Sequence, residues 1–364
     1  MKFLQVISSW ANQYFSNEEA IYLIVLIAVL LIGLGTLGGF LAPVLTGLVF
    51  AFLLQGMVKS LERARVPRTL AVYVSFFVFI GAIGAFTLIM VPLLWQQMQS
   101  LVSLLPTVVA RLREGVAELS VRFPEYVTQE QISGLLDQGA REIGNLSAGL
   151  LETAFSQVFS LVGLVIYLVL VPISIFFFLK DKDQLLAWVG SLLPRNRRLL
   201  DQVGGEMTVQ LGNYVRGKFT EILIIGAATF VSFAVLGLNY AALLGVLVGV
   251  SVLIPFVGAA VVTLPVFAVA VIQLGWTWDL AVVMMVYGVI QFLDGNVLVP
   301  LLFSEVVDLH PITIIAAVLA FGGLWGIWGV FFAIPLATLI KAIYKAWPRH
   351  PVDVDTQETS HDPI

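Results

Sequence analysis

The chain reads as an all-helical polytopic membrane protein with about seven or eight membrane segments, some re-entrant or broken, plus an amphipathic helical periplasmic segment. Three observations predict this class. Hydrophobic residues fill 59% of the 364 positions and charged residues only 12%, a balance that suits a chain dissolved in lipid and not a soluble domain. Apolar runs recur that are long enough, at about 1.5 Å per residue, to cross a hydrocarbon core of about 30 Å. Lys and Arg concentrate in two short connectors, as in loops retained in the cytoplasm.

The elements follow in order. Phe3, Ile7, Trp10 and Tyr14 share one helical face with aromatics suited to the interface, which predicts a short surface helix over 3–15. No cleavage site of the A-x-A kind follows, so no removable signal peptide is expected. Spans are predicted at 20–38 and 40–58, separated only by Gly38-Gly39, and at 70–92. The connector 59–68 carries Lys59, Arg63, Arg65 and Arg68 and is placed in the cytoplasm, with the N-terminus on the same side. Residues 1–92 thus form a first unit.

Residues 93–157 are more polar. Leu101, Leu104, Val108 and Leu112 form one helical stripe, and Thr128 with Gln131 makes a capping box that opens a second amphipathic helix. A span at 158–179 returns to a cytoplasmic loop, 180–218, in which Arg195, Arg197 and Arg198 face the anionic inner leaflet. A span at 219–237 leads out, Lys341, Lys345 and Arg349 lie inside, and the acidic tail 348–364 is expected to be disordered. The transport region occupies 158–347.

Between 239 and 340 the apolar runs shorten. Run 241–254 ends at Pro255-Phe256-Val257-Gly258, 259–274 follows, 279–299 contains Asp294-Gly295-Asn296, and 312–321 meets 324–340 at Gly322-Gly323. A run of about 14 residues reaches only ~21 Å, so re-entrant hairpins or half-helices are expected. Between Lys218 and Lys341 there is no Lys or Arg, and the acids are Glu221, Asp279, Asp294, Glu305 and Asp308. Asp294 therefore has no basic residue in its own stretch to neutralise it, although a carboxylate at bilayer depth costs roughly 2.5 to 3.5 kcal/mol on insertion scales.

Several strings resemble one transporter family. They are Leu253-Ile254-Pro255-Phe256-Val257-Gly258, Leu293-Asp294-Gly295-Asn296-Val297-Leu298-Val299-Pro300, Leu309-His310-Pro311, and Gly322-Gly323-Leu324-Trp325-Gly326-Ile327-Trp328-Gly329 leading to Ala333-Ile334-Pro335-Leu336. With Val171-Pro172 and Asn213-Tyr214-Val215-Arg216-Gly217-Lys218 they resemble the autoinducer-2 exporter family over nearly the whole chain, and its PerM-type branch most. The resemblance implies an inner-membrane protein, a broken-helix transport region in the second half and a homo-oligomer. It also implies a link to export of autoinducer-2 or, in other branches, to sodium/proton exchange.

Each site residue has a functional and a structural reading. Asp294 and Asn296, with Gln291 one turn earlier, line a polar cavity that contacts substrate or a coupling proton; structurally, Asp294 caps a half-helix. Pro255, Gly258, Gly295 and Pro300 shape the breaks and act through backbone. Glu305, Asp308 and His310 are candidates for proton coupling, or a solvated loop before Pro311. Gly322, Gly326 and Gly329 form a small-residue packing stripe, and Glu221 beside Arg216 and Lys218 reads as a local salt bridge at the cytoplasmic edge.

Other classes fit less well. There is no Cys, only three His, and no phosphate loop, so no cofactor, metal site or ATPase is expected. Neither the motifs nor the residue contexts of an intramembrane protease occur. Net charge is −4 without a dense basic patch, which excludes nucleic acid as a partner. The expected partners are the lipid bilayer, a small polar solute, and protons or sodium ions. The alternatives are a membrane scaffold that recruits a partner through its extramembrane helices, and a passive channel.

Overall fold

The computed structural model describes residues 18–122, 161–194, 197–303 and 309–346. The surface helix expected over 3–15, the amphipathic helix after Thr128, Arg195, Glu305, Asp308 and the tail lie outside these residues. The helices are α1 (Glu18–Arg63), α2 (Arg68–Arg122), α3 (Leu161–Lys180), α4 (Lys182–Leu192), α5 (Arg198–Val235), α6 (Ala241–Ser251), α7 (Val257–Leu274), α8 (Trp278–Leu293), a π-helical turn (Asp294–Leu298), α9 (Val299–Phe303) and α10 (Pro311–Ala346). Among the described residues there is no strand, and seven helical stretches are long and apolar enough to cross a membrane. The protein is an all-helical, multi-pass membrane protein.

The runs at 20–38 and 40–58 are two arms of one helix. One face of it, from Leu23 to Leu48, lines an apolar cavity of about 600 Å3 together with Met207 and Trp325. Pro43 lies inside this helix, where it removes an N–H and crowds the carbonyl four residues earlier. The second arm packs on α3 so closely that a Cβ at Gly47 would overlap Ser174. In α2 the helix continues unbroken past residue 92 to Arg122. Gln97, beyond that point, accepts a hydrogen bond of 2.9 Å from the Leu243 N–H and satisfies the start of α6.

The basic connectors gather at one end. Arg68 pairs with Asp183 at 2.5 Å, joining the starts of α2 and α4, and the Arg197 guanidinium donates to the Gly190 carbonyl. Leu200 and Val203 cluster with Leu339 and Ile343, which brings the last turns of α10 to the same end.

Two helical hairpins flank the stretch that carries Asp294. In the first, α6 and α7 reverse through residues 252–256, where Phe256 adopts φ +62. A Cβ at Gly258 would run into the Ser251 carbonyl, so only glycine fits there. Gln273 clamps the open end, donating to the Gly237 carbonyl and accepting from the Asn239 N–H, both at 2.7 Å. In the second, α10 folds back at Gly326, whose φ 60 and ψ −137 are non-helical. This corrects two expectations. The reversal falls at Gly326 and not at Gly322-Gly323, and Gly322, Gly326 and Gly329 serve the turn itself, because a Cβ at Gly329 would strike the Phe321 carbonyl.

The expected break at Gly295 is corrected as well. Backbone angles stay helical from Leu293 to Val299, and the Val299 N–H bonds to the Asp294 carbonyl, five residues back. The helix is widened, not unwound. Pro300 gives the reason: its ring has no N–H and crowds the carbonyl at 296, and one π turn relieves that conflict.

Close glycine packing occurs instead between α5 and α6. Cβ atoms built at Gly245 and Gly249 would lie 2.9 Å from the Gly226 carbonyl and 2.8 Å from the Ile222 carbonyl, the close approach that a Gly-x-x-x-Gly pair permits. Gly249→Ala should therefore cost about 1–3 kcal/mol through overpacking. Gly56→Ala, where nothing lies within 4 Å, should cost nothing; thermal melting of the two variants in detergent checks the contrast.

Candidate functional site

The Asp294 carboxylate opens the π turn and is only 9% exposed. Its Oδ1 is one of four buried side-chain polar atoms without a hydrogen bond among the described residues, and of these four it alone belongs to an ionisable group. The neighbouring charges come from α5. Lys218 and Glu221, one turn apart, are 4% and 1% exposed, and the ammonium donates to Glu221 Oε2 at 2.8 Å. It also donates to the Val252 carbonyl at the C-terminal end of α6, at 2.7 Å. There the helix dipole places partial negative charge and the last carbonyls lack helical partners.

The ring of Phe303 lies 5.5 Å from the same ammonium, within cation–π range. A Cβ at Gly217 would sit 2.7 Å from that ring, so glycine is what lets α9 press against α5. One turn before Lys218, Tyr214 is buried and donates to the Phe331 carbonyl of α10 at 2.8 Å. The charges of Lys218 and Glu221 both act on Asp294. Two carboxylates and one ammonium thus share the interior where α5, the end of α6, the π turn and α9 converge.

The expected Lys218–Glu221 salt bridge forms, with both side chains buried. Lys218 is also the cation that the stretch after it lacks: the packing of the π turn on α5, not proximity in sequence, brings it to Asp294. Lys218 and Tyr214 were not expected as site residues. The signal in the sequence was a Lys and a Glu three apart at the mouth of an apolar run, a spacing that pairs them on one helix face.

The other expected residues scatter. Gln291 is half-buried and donates to the Tyr287 hydroxyl at 2.8 Å, which also meets Thr263 at 3.1 Å and the Ala259 carbonyl at 3.2 Å. This polar link joins α7 to α8. Asn296 is exposed, and its amide donates to the Phe292 carbonyl at 2.9 Å, a group whose usual partner the π turn displaces. Pro255 and Gly258 form the α6–α7 turn whose first carbonyl holds Lys218. His310 is exposed and its Nδ1 accepts from the Ile312 N–H, capping α10. Among the described residues no three His, Asp or Glu side chains converge as metal ligands. The cavity under α1 is lined by apolar residues and is separate from this centre.

A family model described as AI-2E family transporter matches residues 20–349. The chain is similar to the protein named "Putative permease PerM" of Escherichia coli (strain K12), with 42% identity over 95% of this chain and 98% of that protein. It is also similar to "Putative transport protein YueF" and "Putative transport protein YrrI" of Bacillus subtilis (strain 168), at 26% and 28% identity. These matches cover 83% of this chain in both cases, and 82% and 84% of the two relatives.

The energetics of the trio make a prediction. Removing one partner of a buried pair leaves an uncompensated charge and costs about 3–5 kcal/mol, whereas removing both is far milder. Lys218→Met should lower the melting temperature in detergent markedly. Lys218→Met combined with Glu221→Gln should recover most of the loss.

Proposed function

Because the chain belongs to the AI-2E transporter family, we propose that it is an inner-membrane secondary transporter that exports a small polar solute, coupled to protons or sodium ions through Asp294. Autoinducer-2 or a related metabolite is the cargo that the family resemblance favours. One observation carries the reading: a buried carboxylate with an unpartnered oxygen sits in a membrane-spanning helix, at a π turn. A purely structural carboxylate gains nothing from an unpaired oxygen, which costs about 1–3 kcal/mol or more when charged. A group that must take and release a proton or cation needs that oxygen free.

The two hairpins at 241–274 and 311–346 act as re-entrant elements beside the site. Both termini and the basic end lie in the cytoplasm by the positive-inside rule, and the chain works as a homo-oligomer. In the proposed cycle, alternating access moves the element that carries residues 241–310 relative to α1–α3. A charged Asp294 is costly in a dry closed state, so proton or cation binding precedes the movement. Gln291 and Asn296 flank the path, Gly295 and Pro300 set the π turn, and His310 is a further candidate for proton coupling.

Flux in proteoliposomes under an imposed proton or sodium gradient, with a solute panel that includes autoinducer-2, tests this. Asp294→Asn should reduce gradient-driven flux at least about tenfold, equivalent to ~1.4 kcal/mol. Full gradient-dependent transport by the variant would sink the proposal.

A further inference from the structure

The charge sum of the buried centre is fixed by three side chains. Asp294 and Glu221 contribute two negative charges and Lys218 one positive. Among the neighbouring elements, α6, α7 and α9 contain no ionisable side chain. On α8, Asp279 lies about four turns before Asp294, and the Tyr287 hydroxyl meets Gln291, Thr263 and the Ala259 carbonyl. Lys341 of α10 lies toward the end where Leu339 and Ile343 meet Leu200, and the Tyr214 hydroxyl is engaged by the Phe331 carbonyl. Arg216, on α5, is exposed and bonds to Asn213. An isolated negative charge in a dry interior is strongly disfavoured, while a neutral set that is hydrogen-bonded is tolerated.

Geometry shows how the sum is shared. The Lys218 ammonium has three donors, two of which go to Glu221 and to the Val252 carbonyl. Its flexible four-carbon stem lets the charge re-aim, and the π turn packs directly against α5. Asp294 meanwhile is nine-tenths buried with Oδ1 unpartnered.

Building on the reading of Asp294 as the coupling group, we propose that Lys218 is a tethered counter-ion that sets the occupancy of the site at one proton or one monovalent cation per chain. Held on Glu221, it leaves Asp294 to the incoming charge, and the filled centre is neutral and can close. Empty, the centre carries one net negative charge and must stay hydrated. Occupancy therefore follows the charge sum and not the presence of Asp294 alone.

This has a consequence that a structural ion pair lacks. Glu221→Gln keeps Asp294 intact but frees Lys218 to pair with it, so the centre is neutral without an occupant and refuses one. Adding Lys218→Met restores the net negative charge and the site. The test uses full-length protein in detergent, with radiolabelled sodium binding at alkaline pH for the sodium arm and carboxyl-stretch infrared difference spectra on acidification for the proton arm.

Wild type should take up one sodium ion or one proton per chain at this centre. Glu221→Gln should weaken that uptake at least about tenfold, and the double variant should return to within about threefold of wild type. Glu221→Gln that elutes as folded protein and binds like wild type overturns the counter-ion role, as does a double variant that stays empty. Wild type that takes up neither ion, or Asp294→Asn that still does, overturns the coupling reading beneath it.

Discussion

The Lys218 ammonium sits where four backbone elements converge, and much of the second half of the molecule is arranged to make that burial tolerable. Its bond to Glu221 supplies the opposite charge, and its bond to the Val252 carbonyl uses the negative end of α6. The Phe303 face covers it from α9. Each contact requires a backbone decision elsewhere. α6 must end at Ser251 so that the Val252 carbonyl is free, Gly217 must lack a side chain, and the chain must turn within five residues to start α7. Removing the ammonium would leave two carboxylates facing each other's field in a low-dielectric interior.

The same logic governs the irregular backbone. Inside a bilayer every N–H and carbonyl needs a partner within the protein, so short helices survive only where side chains or neighbouring ends complete them. Gln97 does this at the start of α6, Lys218 at its end, Gln273 at the α5–α6 loop, and Asn296 across the π turn. Polar side chains that composition alone would assign to a solute pathway are thus partly spent on backbone. Asp294 is the exception, because one of its oxygens remains without such work.

How much of this could be read from residues alone differs by feature. The class, the apolar runs and the basic connectors are properties of composition and length, and the helices follow them. The breaks at Pro255-Gly258 and near Gly322 were visible because proline and glycine act locally, although the reversal settled on Gly326, where a positive φ demands glycine. The π turn was harder to see: Asp294-Gly295-Asn296 looks like a break, and only Pro300, six residues on from Asp294, explains why one widened turn suffices. The place of Lys218 beside Asp294 could not be read because the two lie 76 positions apart in sequence, and contacts between helices leave no periodic trace in either of them. The stretch without Lys or Arg that begins one residue after Lys218 suggests isolation, whereas it marks the cation's edge.

Packing also constrains which parts can move together. The seam between α5 and α6 is built from glycine backbone in direct contact at Gly226, Gly245 and Gly249, and such an interface has no slack to slide. Phe233 of α5 lies in one apolar cluster with Leu244, Val266, Val283 and Tyr287, so the C-terminal half of α5 belongs to the same packed body as α6, α7 and α8. A separate cluster unites the second arm of α1 with α2 and α3 through Val58, Ala71 and Leu179. Any movement of residues 241–310 must therefore carry that half of α5, and with it Glu221, and also the stretch of α2 around Leu101, which lies in the same cluster. In the proposed cycle the trio therefore travels as a unit, so that access to water, not separation of the three side chains, is what a conformational change controls.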